Sequence, residues 1–245
     1  MTAPESESAT QSCLFCSAPA SEDVLEHIVS ESLGGDDEKD GVRGLVCLRC
    51  NNYFGTKVEQ AALASFPFNL FRVMNSVVTK KGRPARLDNV LQGRLFSTPR
   101  RNVIEIEPRD ETFRQGLLEG RITQMRILAE VRDAVAVCRF LLKMGCEHLS
   151  TFDPIAARGD RLAAARAFAR APKRGATWWF LLLSDPSRFG QEDDTFLDVV
   201  EEPQGALIVH FHSASFDLMA PMTNNIEPAS ELDAPPASRL YRVTI

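Results

Sequence analysis

The chain has 245 residues, of which 44% are hydrophobic and 25% charged, and these fractions are close to the averages of folded globular proteins. The composition excludes wholesale disorder, and the length allows one large domain or two small ones with a real hydrophobic core. The 28 Lys and Arg residues against 33 Asp and Glu residues give a net charge of −5, which excludes a protein coated in basic charge. It does not exclude a nucleic-acid enzyme, which needs only one basic face.

The chain begins with a polar, acidic lead-in that has little to bury. Residues 1–12 are rich in Ser, Glu and Thr, and we expect them to be disordered. The start lacks the basic and apolar regions of a secretory signal, and the densest apolar run, Trp178–Leu183, is far shorter than the roughly 20 residues that span a bilayer. We therefore expect a cytoplasmic protein without membrane association, in which the six cysteines stay reduced.

Four of the cysteines form two C-x2-C pairs with thirty residues between them: Cys13 with Cys16, and Cys47 with Cys50. Each pair can direct two thiolates at one metal ion, and four thiolates complete the tetrahedral ligand set of structural zinc. The pattern predicts a structural Zn2+ site. The alternatives are a set of unconnected buried cysteines and a thioredoxin-type redox pair, which would require a C-x2-C directly after a strand.

A second set of motifs lies between and after these pairs. Glu26-His27-Ile28-Val29 is followed by Ser32-Leu33-Gly34-Gly35, and Asn51 comes directly after Cys50. In this order and spacing, Cys13 to Gln60 resembles the HNH endonucleases of the ββα-metal (His-Me finger) superfamily, in the branch with paired zinc knuckles. The resemblance implies a treble-clef-like, zinc-bound module over residues 13–66, with two short strands and a helix. It also implies a metal-dependent endonuclease that hydrolyses phosphodiester bonds in DNA.

The candidate catalytic residues are His27, Glu26 and Asn51. Imidazole titrates near neutral pH, so His27 can take a proton from the attacking water. Adjacent residues of a strand point to opposite faces, so Glu26 would need a local bend to approach the same site. The resemblance implies that Glu26 and Asn51 supply oxygen ligands to one catalytic metal ion, and such ligands suit Mg2+ or Mn2+ better than zinc.

Two positions depart from the family pattern and keep an alternative open. Residues 41–46 lack the usual middle Asn of the motif, and Ser30 stands where a Pro is common. The alternative interpretation is a non-catalytic zinc module that binds nucleic acid or a protein partner. In that case His27 is a buried histidine and Glu26 a solvated surface acid.

Residues 67–101 are strongly basic. Between Arg72 and Arg101, eight basic residues stand against Asp88 alone, a local charge of +7. We interpret this segment as a basic connector that holds the phosphate backbone of DNA, or of RNA, against the metal module. The alternative is that this segment is a solvated loop or helix face. One metal site cuts one strand, so a cut through both strands of a duplex would favour a homodimer. The candidate nucleic-acid-binding residues are Lys80, Lys81, Arg83 and Arg86.

Hydrophobic periodicity predicts the remaining elements. Helical spacing indicates helices over Asn51–Phe66, Ile122–Met144 and Asp160–Arg170, with Gly145 as the C-terminal cap of the second. Alternation predicts a strand over Val103–Glu107, and strand-like runs predict further strands over Trp178–Leu183, Phe196–Val200, Ala206–His212, Phe216–Met219 and Leu240–Ile245. Helices followed by consecutive strands predict an α+β fold, with an antiparallel sheet in residues 102–245, a domain whose role no motif defines.

His210 and His212 alternate on one of these strands and therefore share a face. They could form a metal pair, but no acidic or thiol partner is evident near them in the sequence.

Overall fold

The computed structural model describes residues 11–35, 37–78, 82–90, 92–125, 130–185, 195–213, 215–223 and 238–245. The helices are α1 (Asp37–Asp40), α2 (Leu48–Phe54), α3 (Gln60–Leu63), α4 (Phe68–Met74), α5 (Glu111–Leu118), α6 (Ala134–Phe152), α7 (Pro154–Arg158) and α8 (Ala163–Arg170). The strands are β1 (Leu25–His27), β2 (Gly41–Arg43), β3 (Arg86–Val90), β4 (Gly93–Ser97), β5 (Ile104–Pro108), β6 (Thr177–Ser184), β7 (Phe196–Glu201), β8 (Leu207–Ser213), β9 (Phe216–Pro221) and β10 (Ser238–Thr244). Helices combined with antiparallel sheets confirm the predicted α+β class. Within the described residues, no helix is both long enough and apolar enough to cross a bilayer.

The N-terminal module consists of a short hairpin and one long helical segment. β1 and β2 pair antiparallel, with Glu26 opposite Val42. The helical segment begins after Cys47, whose backbone is extended, and runs from α2 through a wider π-type turn at Gly55–Glu59 into α3. The helix predicted over Asn51–Phe66 is therefore confirmed, although it begins at Leu48 and ends at Leu63.

The buried face of this helical segment explains why it stays helical. Its fully buried side chains recur every four residues, at Cys50, Phe54, Val58 and Ala62. A spacing of four residues is slightly longer than the 3.6 residues per turn of an α-helix. The π-type turn has more residues per turn and so makes up the difference. The stripe therefore stays on one side and packs into the core along the whole segment.

Residues 67–101, interpreted from the sequence as a basic connector, contain regular structure. Almost every residue of α4 is buried. β3, β4 and β5 then form a three-stranded antiparallel sheet in that order. Leu87 and Leu95 pair across β3 and β4 on the buried face, while Arg94 lies on the exposed face. The strand predicted at Val103–Glu107 is confirmed as β5.

The long helix predicted over Ile122–Met144 is displaced toward the C-terminus. α6 begins at Ala134, where the carboxylate of Asp133 accepts a hydrogen bond from the Ala136 backbone N–H at 2.8 Å. The chain before it is irregular at residues 122–125 and 130–133. The backbone there bonds elsewhere, because Glu130 accepts a hydrogen bond from the Phe66 N–H and the Asp133 N–H donates to Ser65 Oγ. The prediction of a helix start at Ile122 was wrong, since apolar spacing was present without helical hydrogen bonding.

Gly145 is not the C-terminal cap of this helix, as the sequence suggested, but lies inside α6. A Cβ atom at Gly145 would lie 2.7 Å from Val209 Cβ on β8 and 3.0 Å from Met222 Sδ. Glycine at this position therefore allows the helix and the sheet to approach each other closely.

The predicted antiparallel sheet of the second half is confirmed. β6 to β10 form a five-stranded antiparallel sheet in the order β10-β6-β9-β8-β7, and α6 packs against one face of it.

Aromatic side chains join this sheet to the preceding segment. Phe68 of α4 lies 5.3 Å from Phe140 of α6 and 5.6 Å from Phe211 of β8, between ring centroids. Phe71 of α4 lies 5.7 Å from Phe216 of β9. The segment 67–101 and residues 102–245 therefore share one hydrophobic core.

Candidate functional site

The two C-x2-C pairs come together in space. Their sulfur atoms all lie within 4.8 Å of one another, and the sulfurs of Cys16 and Cys47 are 3.5 Å apart. Four thiolates around one zinc ion, each with a Zn–S bond of about 2.3 Å, would stand about 3.8 Å apart. The cluster is compatible with structural zinc, and the alternative of unconnected cysteines does not describe this geometry.

Two local structures position the four thiols. The first pair lies in a tight turn in which the Cys13 N–H donates to the Ala18 carbonyl and the Ser17 N–H donates to the Cys13 carbonyl. The second pair lies at the start of α2, with Cys47 as the N-cap and Cys50 in the first turn.

The cysteines of the cluster lie in different electrostatic environments, which shift their pKa values in opposite directions. Burial opposes ionisation of Cys16, but hydrogen bonds from the Ala18 backbone N–H and from neighbouring thiols lower its pKa to about 6. Burial raises the pKa of Cys50, although Arg170 Nε donates a hydrogen bond to its sulfur at 3.2 Å. The Arg170 guanidinium also lies 3.7 Å from the centroid of the Tyr53 ring, so this one side chain of α8 contacts both α2 and the cysteine cluster.

Glu26 and His27 lie next to each other on β1 and point to opposite faces, as the strand geometry predicts. His27 is partly exposed, and its Nε2 lies 3.6 Å from Glu31 Oε1. Glu26 is only 5% exposed. The alternative in which Glu26 is a solvated surface acid is therefore wrong.

Glu26 belongs to a buried charge cluster that joins the two halves of the chain. Lys143 of α6 is fully buried, and its Nζ lies 2.5 Å from Glu26 Oε1, 2.9 Å from Glu147 Oε2 and 3.1 Å from Glu59 Oε1. Burial opposes the charge on Lys143, but the three carboxylates outweigh it and keep the Lys143 pKa well above its usual range. Burial also raises the pKa of Glu147.

Sequence reasoning missed this cluster. Lys143 lies 117 residues from Glu26, so no local motif connects them. One signal was present: Lys143 is a charged residue at the end of the segment Ile122–Met144, whose apolar spacing predicts a helix that packs into the core.

Asn51 lies in the first turn of α2, directly after the last cysteine. Its backbone N–H donates to the Cys47 carbonyl at 3.1 Å, as expected at a helix start. Its side chain is half-buried and makes no hydrogen bond with other residues in the described part of the chain.

The candidate nucleic-acid-binding residues are only partly described. Lys80 and Lys81 lie outside the described residues, whereas Arg83 and Arg86 are exposed. Arg86 pairs with Asp88 at 3.0 Å. A cleft of about 450 Å³ beside them is lined by both signs of charge: Arg86, Asp88, Gly93, Arg94, Glu107, Pro108 and Arg109. The exposed face of this sheet therefore carries basic side chains interleaved with acids.

A cavity of about 630 Å³ lies beside β1. Its lining includes Ile28 and Val29, the two residues after His27, together with Gly34, Gly35 and Arg101. The chain therefore provides an open volume next to the strand that carries the candidate base.

Comparison with known proteins agrees with the motifs. Residues 13–67 match the family model described as HNH endonuclease, and this segment contains the cysteine cluster, β1, β2 and the helical segment from α2 to α3. No curated protein and no solved structure matches the chain. The match confirms the resemblance for the N-terminal module, while residues 68–245 lie outside it.

Proposed function

We propose that the chain is a metal-dependent HNH-type endonuclease that hydrolyses phosphodiester bonds in DNA. The observation that carries this proposal is the matched segment 13–67, in which a cluster of four cysteines supports a strand bearing Glu26 and His27 and a helix bearing Asn51. Clustered thiols supply the structural zinc site, and the other three side chains supply the base and the oxygen donors that hydrolysis needs.

In this proposal His27 accepts the proton of the attacking water at a ring nitrogen. The residue is partly exposed, so water and a phosphate group can reach it. Glu31 Oε1 lies 3.6 Å from its Nε2, on the partly exposed side of the ring. Lys80, Lys81, Arg83 and Arg86 contact the phosphate backbone, which predicts binding that weakens as salt rises.

Glu26 and Asn51 would hold the catalytic Mg2+ or Mn2+. Their donor chemistry fits a hard divalent cation, and the surrounding charge does as well. Three carboxyl groups surround the single ammonium of Lys143, and Glu147 Oε1 is buried without a hydrogen-bond partner among the described residues. When bound, the cation stabilises the negative charge that develops on the phosphate and on the leaving 3′ oxygen.

A specific contact favours a second candidate function. Glu26 is buried and already paired with Lys143, so a metal ion would have to share its carboxylate with an ammonium. A non-catalytic zinc module that binds nucleic acid or a protein partner needs no metal at Glu26. In that function the Glu26–Lys143 pair fixes the N-terminal module on α6.

Plasmid cleavage tests the first function against the second. Wild-type protein and His27→Ala are purified in parallel and incubated with plasmid DNA in Mg2+, Mn2+ or EDTA. The nuclease predicts metal-dependent cutting by wild type, with a loss of about 100-fold or more in His27→Ala, because general-base catalysis contributes about 10²–10⁴ in rate.

Zinc content and the unfolding midpoint control for misfolding of the variant. Equal cutting by both proteins would contradict the role of His27. Cutting by neither protein, with zinc bound in both, would refute the nuclease and favour the binding module.

A further inference from the structure

A second group of metal-ligating side chains lies far from the cysteine cluster in sequence, on the sheet of the second half. His210 and His212 alternate on β8, and Asp217 lies on the adjacent strand β9, directly opposite His212. Asp217 Oδ1 lies 2.7 Å from His210 Nε2 and 2.8 Å from His212 Nδ1. The acidic partner that the sequence did not reveal is thus supplied by strand pairing.

The three side chains occupy the face of the sheet that points away from α6. Val209 and Phe211 alternate with the two histidines and are fully buried, Val209 against Gly145 of α6 and Phe211 against aromatic rings of α4. Because neighbouring residues of a strand point to opposite faces, the histidines project the other way. His212 is 2% exposed and His210 and Asp217 are each 19% exposed, so the group is sheltered but reachable.

Neighbouring residues hold the imidazole rings in place. Phe196 of β7 stacks on His212, with 4.9 Å between ring centroids and 19° between the ring planes. It meets His210 edge to face at 5.2 Å. The hydroxyl groups of Thr195 and Ser213 lie 3.0 Å apart and fasten the start of β7 to the end of β8. Such a surrounding shell keeps ligating side chains in one orientation before a metal arrives.

The donor set is that of a transition-metal site. Two imidazole nitrogens and one carboxylate oxygen, all within 4.8 Å of one another, form the two-histidine, one-carboxylate combination used for Zn2+ and related ions. Ligand atoms about 2.0–2.2 Å from a tetrahedral ion stand about 3.3–3.6 Å apart, so the nitrogen–oxygen separations of 2.7 and 2.8 Å would widen by about 0.5–0.9 Å on metal binding. Three protein ligands leave at least one coordination position for water or an added ligand.

We propose that His210, His212 and Asp217 form a second metal site, which binds a divalent ion of the Zn2+, Co2+ or Ni2+ type. The site is independent of the cysteine cluster and of the proposed nuclease function. It belongs to the part of the chain outside the HNH match.

Metal content of the full-length protein tests the site. Wild type, His210→Ala, Asp217→Asn and the control His148→Ala are loaded with excess Zn2+, passed through gel filtration and analysed for zinc per chain. We expect wild type and His148→Ala to hold one more equivalent than His210→Ala and Asp217→Asn. Equal zinc in wild type and in both cluster variants would overturn the proposal, whether or not the protein cuts DNA.

Co2+ provides a second readout that separates the two sites. Ligation by four thiolates gives strong charge-transfer absorption, whereas nitrogen and oxygen ligands give only weak d–d bands. We expect His210→Ala to lose the d–d contribution of one ion and to keep the thiolate band, which also shows that its N-terminal module is folded. Asp217→Asn keeps the size of the side chain but removes its negative charge, and spectra identical to wild type in both variants would contradict the site.

Discussion

Replacing Lys143 with Met should destabilise the protein strongly. Methionine keeps an unbranched apolar side chain in the same space but removes the ammonium that contacts Glu26, Glu147 and Glu59. Glu26 and Glu147 are buried, so they would lose their cation without gaining water. Removing one partner of a buried ion pair costs about 3–5 kcal/mol because the remaining charge is uncompensated. We expect the free energy of unfolding to fall by that amount, a large fraction of the roughly 5–15 kcal/mol typical of folded proteins.

Equilibrium unfolding in urea at neutral pH, with zinc present, measures this loss. Lys57→Met is the matched control, because Lys57 is exposed in the same N-terminal module and its substitution should change stability by no more than about 0.5 kcal/mol. The double variant Lys143→Met with Glu26→Gln should lose less unfolding free energy than the two single variants lose together, by about 0.5–3 kcal/mol. A loss below about 1 kcal/mol in Lys143→Met would refute the reasoning.

Two further substitutions test the packing of α6 and the zinc site. Gly145→Ala should destabilise the protein by about 1–3 kcal/mol, because the added methyl group would lie 2.7 Å from Val209 Cβ. Gly55→Ala is the control: its added methyl group would have no atom within 4 Å, so it should be neutral or slightly stabilising. Equal denaturation midpoints for the two variants would contradict this packing. Cys47→Ser should lose one equivalent of zinc, that of the cysteine cluster, and the cooperative unfolding of the N-terminal module, measured by metal analysis and circular dichroism. A variant that kept both would show that the cysteine cluster does not hold the module together.

Elements defined by local spacing were predicted well. Strand β5 follows from alternation of apolar and polar side chains, β6 to β10 follow from strand-like runs, and the helix after Cys50 follows from its apolar repeat. The start of α6 was predicted wrongly because the apolar spacing continues upstream of Asp133, whereas the described residues there, 122–125 and 130–133, are not helical. There the backbone bonds to Ser65 and Phe66, residues that only the folded chain brings near.

The candidate site shows the same division between local and long-range information. The order Cys13 to Asn51 identified the HNH-type segment because ligands of one knuckle must be close in sequence. The Lys143 partner of Glu26 could not be found that way, since its position depends on how α6 packs across the N-terminal module. Asp217 likewise meets His212 only through the register of β8 and β9.

The sequence by itself therefore determined the cysteine cluster and the HNH resemblance, which rest on spacings within one segment, and the α+β class, which rests on the order of helical and strand-like segments. Tertiary structure alone decided that Glu26 is buried against Lys143, that Gly145 allows α6 to approach the sheet, and that Asp217 stands between two histidines. The physical reason is that short-range periodicity fixes which face a side chain occupies. Which distant side chain it meets depends on packing and strand register, which no local pattern contains.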